Sequence, residues 1–187
     1  PVRGNTTVGS WTETFVKDLR SHRRTLPPGY PYWTILQTHG SKNPGNTGAA
    51  VRTPEPSEIK AQFWLAIGEG SDCITWFIFK SQQFWTGVED NPGVFDATVE
   101  LAERLKTFGP LLPKLHKIED RFEISSTGER PYISTLFSEA DGNIVIIQNG
   151  DCLNPQTLRI TSERIENKGT LVNLETGRRL RLGAPIK

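Results

Sequence analysis

Residues 73–79, Cys-Ile-Thr-Trp-Phe-Ile-Phe, form a run in which every residue except Thr75 is apolar. A short run rich in aromatic and β-branched residues predicts a β-strand. Because its apolar residues do not alternate with polar ones, we expect both faces of this strand to be covered, as in a parallel sheet. The polar residues 80–83, KSQQ, follow at once. They mark the carboxyl end of the strand, which is where α/β folds bind ligands.

Helical and strand patterns alternate along residues 1–110. The pattern predicts a helix over Ser10–Arg24, begun by an S-x-x-E capping box, and a strand over Tyr30–Gln37. A second helix is predicted over Ser57–Glu69, with Gly70 as its C′ residue, and a third over Gly93–Phe108. Alternation of this kind predicts βαβ units and a parallel sheet.

The spacing of apolar residues assigns an inward face to each predicted helix. The first helix is expected to bury Trp11, Phe15, Val16 and Leu19, the second Ile59, Phe63, Trp64 and Ile67, and the third Phe95, Val99, Ala102 and Leu105. Trp33 and Trp76 lie inside the predicted strands, and we expect them in the core as well.

The pattern changes at residues 108–115, FGPLLPKL, where two prolines and a glycine indicate a hinge between domains. Beyond Lys117 short strands alternate with turn residues and no helix is predicted. The strands are expected at Phe122–Ser125, Tyr132–Phe137, Ile144–Gln148, Gln156–Thr161, Gly169–Leu174 and Arg178–Leu182. The predicted fold class is therefore α/β followed by all-β, with an α/β domain over residues 1–110 and a small antiparallel β-sandwich over 111–187.

Charge and composition exclude several classes of function. The formal net charge is +1, which gives no field to attract nucleic acid or an anionic membrane. No apolar run reaches the length of about 18 residues that a membrane helix needs. The three histidines are scattered, and Cys73 and Cys152 lack metal-ligand spacing, so we expect no metal and no cofactor. The two cysteines are interpreted as buried thiols, and a disulfide would require the two domains to meet there.

Two parallel strands and three helices do not close a sheet, and open edges of apolar strands promote aggregation. We therefore expect this chain to be a piece of a larger protein. The remaining strands would come from a missing segment, from a second chain or from self-association.

Several segments together carry a family resemblance. They are YPYWTILQTHG, TPEPSEIKAQFWLAIGEGSDCITWFIFKS and, after the hinge, NIVIIQNGD, TLRITSER and GTLVNLETGRRLRL. In this order they resemble the last two βα units of a glycoside-hydrolase-like (β/α)₈ barrel with its trailing β-sandwich. The β-galactosidase-like members of the retaining clan are the most similar. The resemblance covers nearly the whole chain, but its motifs are diffuse. It implies a carbohydrate ligand and a secreted or periplasmic location.

In such enzymes two carboxylates perform hydrolysis. The resemblance implies that the acid/base follows strand 4, outside this chain, and that the nucleophile ends strand 7. That position falls at residues 36–39, LQTH, which contain no Asp or Glu. Either the register differs by one element, or the catalytic residues lie elsewhere, or this chemistry has been lost.

Five residues near the predicted strand ends are candidate carbohydrate-binding residues: Gln37, His39, Lys80, Gln82 and Trp85. Amide and imidazole groups hydrogen-bond sugar hydroxyls, and an indole ring stacks on the apolar face of a sugar. The alternative interpretations are a loop cap for Gln37 and His39, a salt bridge at the rim for Lys80, and a loop anchor for Trp85. Glu89 and Asp90 become candidate carboxylates only if their loop folds back.

Three functions stay open on the sequence. The first is a glycoside hydrolase whose acid/base lies outside this chain. The second is a non-catalytic module that binds glycan or stabilises an assembly and has lost the strand 7 nucleophile. The third is an independent α/β domain, for which no phosphate-binding glycine motif is present.

Overall fold

The computed structural model describes residues 8–41, 52–118, 122–128, 131–138, 142–149, 155–162, 170–174, 177–181 and 185–186. The chain divides into two compact units, residues 1–115 (unit 1) and 116–187 (unit 2). The junction therefore lies at residue 115, within the proline-containing segment that predicts a hinge and slightly beyond the predicted boundary at 110. None of the helices in the described ranges combines the length and apolarity that crossing a membrane requires.

Unit 1 alternates helices and strands, as the sequence predicts. Its elements are α1 (Val8–Thr25), β1 (Trp33–Gln37), β2 (Gly40–Ser41), α2 (Pro56–Gly68), β3 (Cys73–Phe77), β4 (Trp85–Thr86) and α3 (Pro92–Phe108). Strands β1 and β3 pair in parallel, with Trp33 opposite Cys73 and Gln37 opposite Phe77. Because α2 joins them, the segment from β1 to β3 is a βαβ unit.

The two faces of the β1–β3 pair differ in burial. On one face Thr34 and Leu36 are buried, and Trp76 stacks on Phe63 of α2 with ring centroids 6.3 Å apart. On the other face Trp33 is 67% exposed and Ile35 is 68% exposed. The prediction that Trp33 lies in the core is therefore wrong, because side chains alternate along a strand and the described helices cover only the even-numbered side of β1.

Within the described ranges the parallel sheet consists of β1 and β3 alone. The mixed α/β class is confirmed for unit 1, and these residues form no closed barrel.

Helix α1 begins before the predicted capping box. Ser10 lies inside the helix, so it does not cap the first turn. Val16 and Leu19 are buried as predicted, whereas the side chain of Trp11 lies outside the described residues. An ion pair joins α1 to the end of α2, since Arg20 donates to both carboxylate oxygens of Glu69 at 3.0 Å.

Helix α2 agrees closely with its prediction. Ile59, Phe63 and Ile67 are buried. Glu55 is the N-cap residue, and its backbone N–H donates to the Glu58 carboxylate at 2.7 Å. Gly70 follows the helix with a φ of +82°, a left-handed conformation that favours glycine at C′.

Helix α3 presents a different face from the predicted one. Val94, Ala97 and Leu101 are buried, whereas Phe95 and Val99 are each 44% exposed. The exposed Ala102 belongs to the same misassigned stripe. The two stripes lie one residue apart, which rotates the helix by about 100°. The prediction followed the larger side chains, but the position of the neighbouring helix decides which stripe is covered.

A pH-dependent ion pair links α2 to α3. Hydrogen bonds from Lys60 and Arg104 lower the pKa of Glu100. A lowered folded-state pKa stabilises the fold above the unfolded-state pKa, and that stabilisation is lost as pH falls through the folded-state pKa. We therefore expect the stability difference between the natural chain and Glu100→Gln to shrink as pH falls from about 6 to about 3. Urea denaturation across this range measures it, and a difference that stays constant contradicts the prediction.

Unit 2 is antiparallel β-structure. Its strands are β5 (His116–Ile118), β6 (Glu123–Ser126), β7 (Tyr132–Ser138), β8 (Gly142–Gln148), β9 (Leu158–Thr161), β10 (Thr170–Val172), β11 (Arg179–Arg181) and β12 (Pro185–Ile186). The order is β5-β7-β8 in one sheet and β12-β9-β6 in another, with β10-β11 as a separate pair. Six predicted strands are confirmed, and β5 and β12 are additional.

The apolar core of unit 2 draws on both three-stranded sheets. Phe122 and Ile160 are buried at its centre. The side chains packed against them are Ile124, Ile133, Val145, Ile147 and Leu171. Since Ile133 belongs to one sheet and Ile160 to the other, side chains of both antiparallel sheets contribute to this core.

Candidate functional site

The carboxyl ends of β1 and β3 meet at one edge of unit 1. Because the strands are parallel, the residues after Gln37 and those after Phe77 start side by side. Strands β2 and β4 then pair in antiparallel fashion, with Gly40 opposite Thr86 and Ser41 opposite Trp85. This pairing joins the segment that follows β1 to the loop that follows β3. We call this region the strand-end site.

His39 lies at the centre of the strand-end site. Its ring makes edge contacts with Phe77 and Trp85, with centroid distances of 5.2 and 4.7 Å. Its Nδ1 lies 2.9 Å from the carbonyl oxygen of Phe77. A carbonyl oxygen only accepts, so Nδ1 carries the proton and Nε2 has the lone pair in the neutral ring. The half-buried imidazole therefore offers an acceptor when neutral and a second donor when charged.

The amide of Gln37 is used within the chain. Gln37 is 9% exposed, and its Nε2 donates to the carbonyl oxygens of His39 at 2.8 Å and Arg52 at 3.0 Å. Both amide hydrogens are thereby occupied. This geometry matches the interpretation of Gln37 as a loop cap rather than as a residue whose amide donates to a sugar.

Arg52, whose carbonyl accepts from the Gln37 amide, forms an ion pair that was not predicted from the sequence. Arg52 donates to both oxygens of Glu58 at 2.7 and 2.5 Å, and the Glu58 side chain is only 8% exposed. The hydrogen bond to Glu58 raises the pKa of Arg52. An acidic residue in the first turn of α2 was the available signal, but its arginine partner lies in a loop that no periodicity describes.

The loop that follows β3 folds back on itself. Val88 and Glu89 donate backbone hydrogen bonds to the carbonyls of Ile78 and Phe79, at 2.9 and 3.0 Å. Glu89 and Asp90 were considered as candidate carboxylates only if their loop folds back, and the loop does so.

Both acidic side chains of this loop engage Ser81. The Ser81 N–H donates to Glu89 Oε1 at 2.7 Å, and Ser81 Oγ donates to Asp90 Oδ2 at 2.5 Å. Ser81 Oγ also accepts from the backbone N–H of Gly87 at 2.8 Å. These hydrogen bonds close the loop. Ser81 was not among the site residues predicted from the sequence.

Gly87 is required by the close approach of two backbone segments. A Cβ at this position would lie 2.5 Å from the Phe79 carbonyl oxygen and 2.8 Å from the Ser81 nitrogen. Both neighbours are backbone atoms, which do not move aside as a flexible side chain would. Any larger residue would therefore displace the loop that presents Trp85.

Apolar rings and polar groups alternate at the surface of the strand-end site. Phe79 is 60% exposed, Phe84 is 41% exposed and Trp85 is half-buried. Lys80 and Gln82 are exposed beside them. The structure thus brings His39 and Trp85 into contact and places Lys80 and Gln82 in the same loop as Trp85. The exposed rings of Phe79 and Phe84 were not predicted as site residues.

The described part of the chain contains no cluster of three or more His, Cys, Asp or Glu residues able to hold a metal ion. Cys73 is a half-buried free thiol on β3, and Cys152 lies outside the described residues. The groups available at the strand-end site are aromatic faces, an imidazole, an ammonium group, carboxamides and the two carboxylates that hydrogen-bond Ser81. Such groups bind a polar ligand that has apolar faces.

Comparisons with protein-family models, with curated proteins and with solved structures find no match to this chain.

Proposed function

We propose that unit 1 forms the last two βα units of a glycoside-hydrolase-like (β/α)₈ barrel and that its strand-end site binds carbohydrate. The βαβ connection supports this proposal, since ligand sites of such barrels lie at the carboxyl ends of the strands. The contact between His39 and Trp85 is the observation that carries it. That contact places a hydrogen-bonding imidazole directly beside an aromatic ring, the pair of groups that a sugar's hydroxyls and C–H face require.

The uncovered face of the β1–β3 pair supports the barrel part of the proposal. Trp33, Ile35 and Phe77 share this face, and each is at least 41% exposed. In a closed barrel the equivalent face is filled by side chains of the other strands. The strands that cover it would come from a further segment of the protein, from a second chain or from self-association.

Binding, rather than hydrolysis, is the activity proposed for these residues themselves. A retaining glycosidase needs two carboxyl groups about 5–5.5 Å apart across the scissile bond. Gln37 occupies the strand end where the resemblance implies a nucleophile, and its amide is held by two backbone carbonyls. Glu89 and Asp90, the two acidic residues of the neighbouring loop, both hydrogen-bond Ser81 as part of the loop closure. Hydrolysis would therefore require carboxylates from outside this chain. The committed amide of Gln37 favours the alternative, a non-catalytic glycan-binding module.

Removal of the Trp85 ring tests the proposal. We expect Trp85→Ala to weaken the binding of an oligosaccharide by about tenfold, because a stacking contact of about 1.4 kcal/mol is lost. Titration calorimetry with a panel of neutral and acidic oligosaccharides identifies the ligand on the natural chain and then measures the variant.

Tyr30→Ala is the matched control. Tyr30 is 61% exposed and precedes β1, at the opposite end of the strands from the strand-end site. Its loss should leave affinity unchanged. Equal losses in both variants, or no binding of any panel member by the natural chain, would overturn the proposed function.

A further inference from the structure

We infer that Gln37 is a positioning residue for His39: its side-chain amide joins the two ends of the β1–α2 connection and thereby fixes the imidazole that faces the ligand. The inference concerns how the strand-end site is held, and its relevance to ligand binding rests on the proposed function. Gln37 itself is buried and is not assigned a contact with the sugar.

The amide of Gln37 spans the connection between the two elements. One bond reaches the carbonyl of His39, two residues further along the chain, and the other reaches the carbonyl of Arg52, fifteen residues further along. A single planar group therefore holds the first and last parts of this connection together.

A second contact brings the same two parts together independently. A Cβ on Gly40 would lie 2.5 Å from Thr53 Oγ1 and 2.8 Å from the Thr53 nitrogen. Only glycine permits the two backbone segments to pass this closely. The hydrogen bonds of Gln37 therefore lie where residues 37–40 and 52–53 pass close to each other. We call this close approach the neck of the connection.

The far side of the neck is anchored to α2. Arg52 forms its two-pronged pair with Glu58, and Glu58 also accepts the N–H of Glu55 at the helix start. The Glu58 side chain is 8% exposed and the Arg52 side chain is 38% exposed, so only the carboxylate half of this anchor is shielded from water. The Gln37 amide thus links the backbone of His39, through Arg52, to the start of α2.

The main chain of Gln37 is held separately from its side chain. Gln62 of α2 is 2% exposed, and its Oε1 accepts the Gln37 N–H at 3.0 Å while its Nε2 donates to the Gln37 carbonyl at 3.3 Å. Removal of the Gln37 amide therefore leaves the end of β1 attached to α2. It releases the carbonyls of His39 and Arg52.

The released backbone should loosen the ring of His39. The Nδ1–H bond to the Phe77 carbonyl selects one tautomer, and it requires the His39 main chain to stay in place. We expect the near-isosteric variant Gln37→Met to convert a neutral ring that is mainly Nδ1–H into a mixture of both tautomers. We also expect it to weaken oligosaccharide binding by about tenfold, roughly one displaced hydrogen-bonding group.

Nitrogen-15 NMR of histidine-labelled protein measures the tautomer directly and requires no ligand. His22 and His116 serve as internal references, because neither contacts Gln37 among the described interactions. Gln83→Met is the matched control for the tautomer measurement only, since it makes the same chemical change at an exposed glutamine. A second measurement uses the natural chain, in which the Gln37 side-chain amide protons should exchange with solvent more slowly than those of Gln83.

The outcomes separate the two proposals. A tautomer mixture and a loss of affinity in Gln37→Met support positioning at a carbohydrate site. A tautomer mixture in a protein that binds none of the oligosaccharides supports positioning and overturns the proposed function. An unchanged tautomer in Gln37→Met overturns positioning, whether or not the protein binds sugar. If Gln37→Met does not fold, rapid exchange of the Gln37 amide protons in the natural chain overturns positioning instead.

Discussion

Replacement of Phe63 by alanine is expected to lower the free energy of unfolding of unit 1 by about 3–5 kcal/mol. Phe63 is 1% exposed and packs between Trp64, 5.0 Å away, and Trp76, 6.3 Å away, measured between ring centroids. Its removal loses both the transfer free energy of the ring and the contacts that the surrounding aromatic groups make with it. The cavity would lie at the centre of the contact between α2 and the parallel strands.

Urea denaturation followed by tryptophan fluorescence measures this loss for unit 1 alone. All five tryptophans occur at positions 11, 33, 64, 76 and 85, so unit 2 contributes no tryptophan signal. Phe95→Ala on α3 is the matched control, because Phe95 is 44% exposed, and its change is expected to be under about 1 kcal/mol. Similar midpoints for Phe63→Ala and Phe95→Ala would show that Phe63 does not carry the packing assigned to it.

The second large effect is expected at the ion pair between α1 and α2. Arg20→Met should lower the free energy of unfolding by about 2–3 kcal/mol, because the Glu69 carboxylate, whose side chain is 1% exposed, loses a two-pronged partner. This loss is smaller than the usual range of about 3–5 kcal/mol for breaking a buried pair, since the Arg20 side chain is 45% exposed. The measurement is again the urea midpoint by tryptophan fluorescence.

An asymmetry between the partners distinguishes this mechanism from a simple loss of contact. Glu69→Leu should cost less than Arg20→Met, because the guanidinium it leaves behind can turn to solvent whereas the carboxylate cannot. The double variant should recover much of the loss, since apolar replacements of buried pairs are often tolerated. If Glu69→Leu is the more damaging single change, burial of the carboxylate is not the dominant effect.

The sequence by itself determined which segments become helices and which become strands. Apolar spacing, prolines and glycines are local signals, and they identified α2, the parallel pair and the C′ role of Gly70. They also identified six strands of unit 2. Boundaries moved by only a few residues, because helix and strand ends are set by capping and pairing partners that periodicity does not describe.

Which face of an element is covered was decided by its neighbours. In α3 the buried stripe contains Ala97 and Leu101 rather than the larger Phe95 and Val99, and in β1 the described helices leave Trp33 exposed. Periodicity shows that an apolar stripe exists, but an element that is apolar on more than one side is oriented by what packs against it.

For the strand-end site, too, the sequence predicted one part and the tertiary structure decided the other. The sequence placed Gln37, His39 and Trp85 near one edge, because residues that follow parallel strands must emerge together. Only the tertiary structure turned the Gln37 amide inward and paired Arg52 with Glu58. These contacts join a strand end, a loop and a helix start that no local pattern relates. Their formation depends on the packing of α2 against β1, which creates the buried space where each polar group must find a partner.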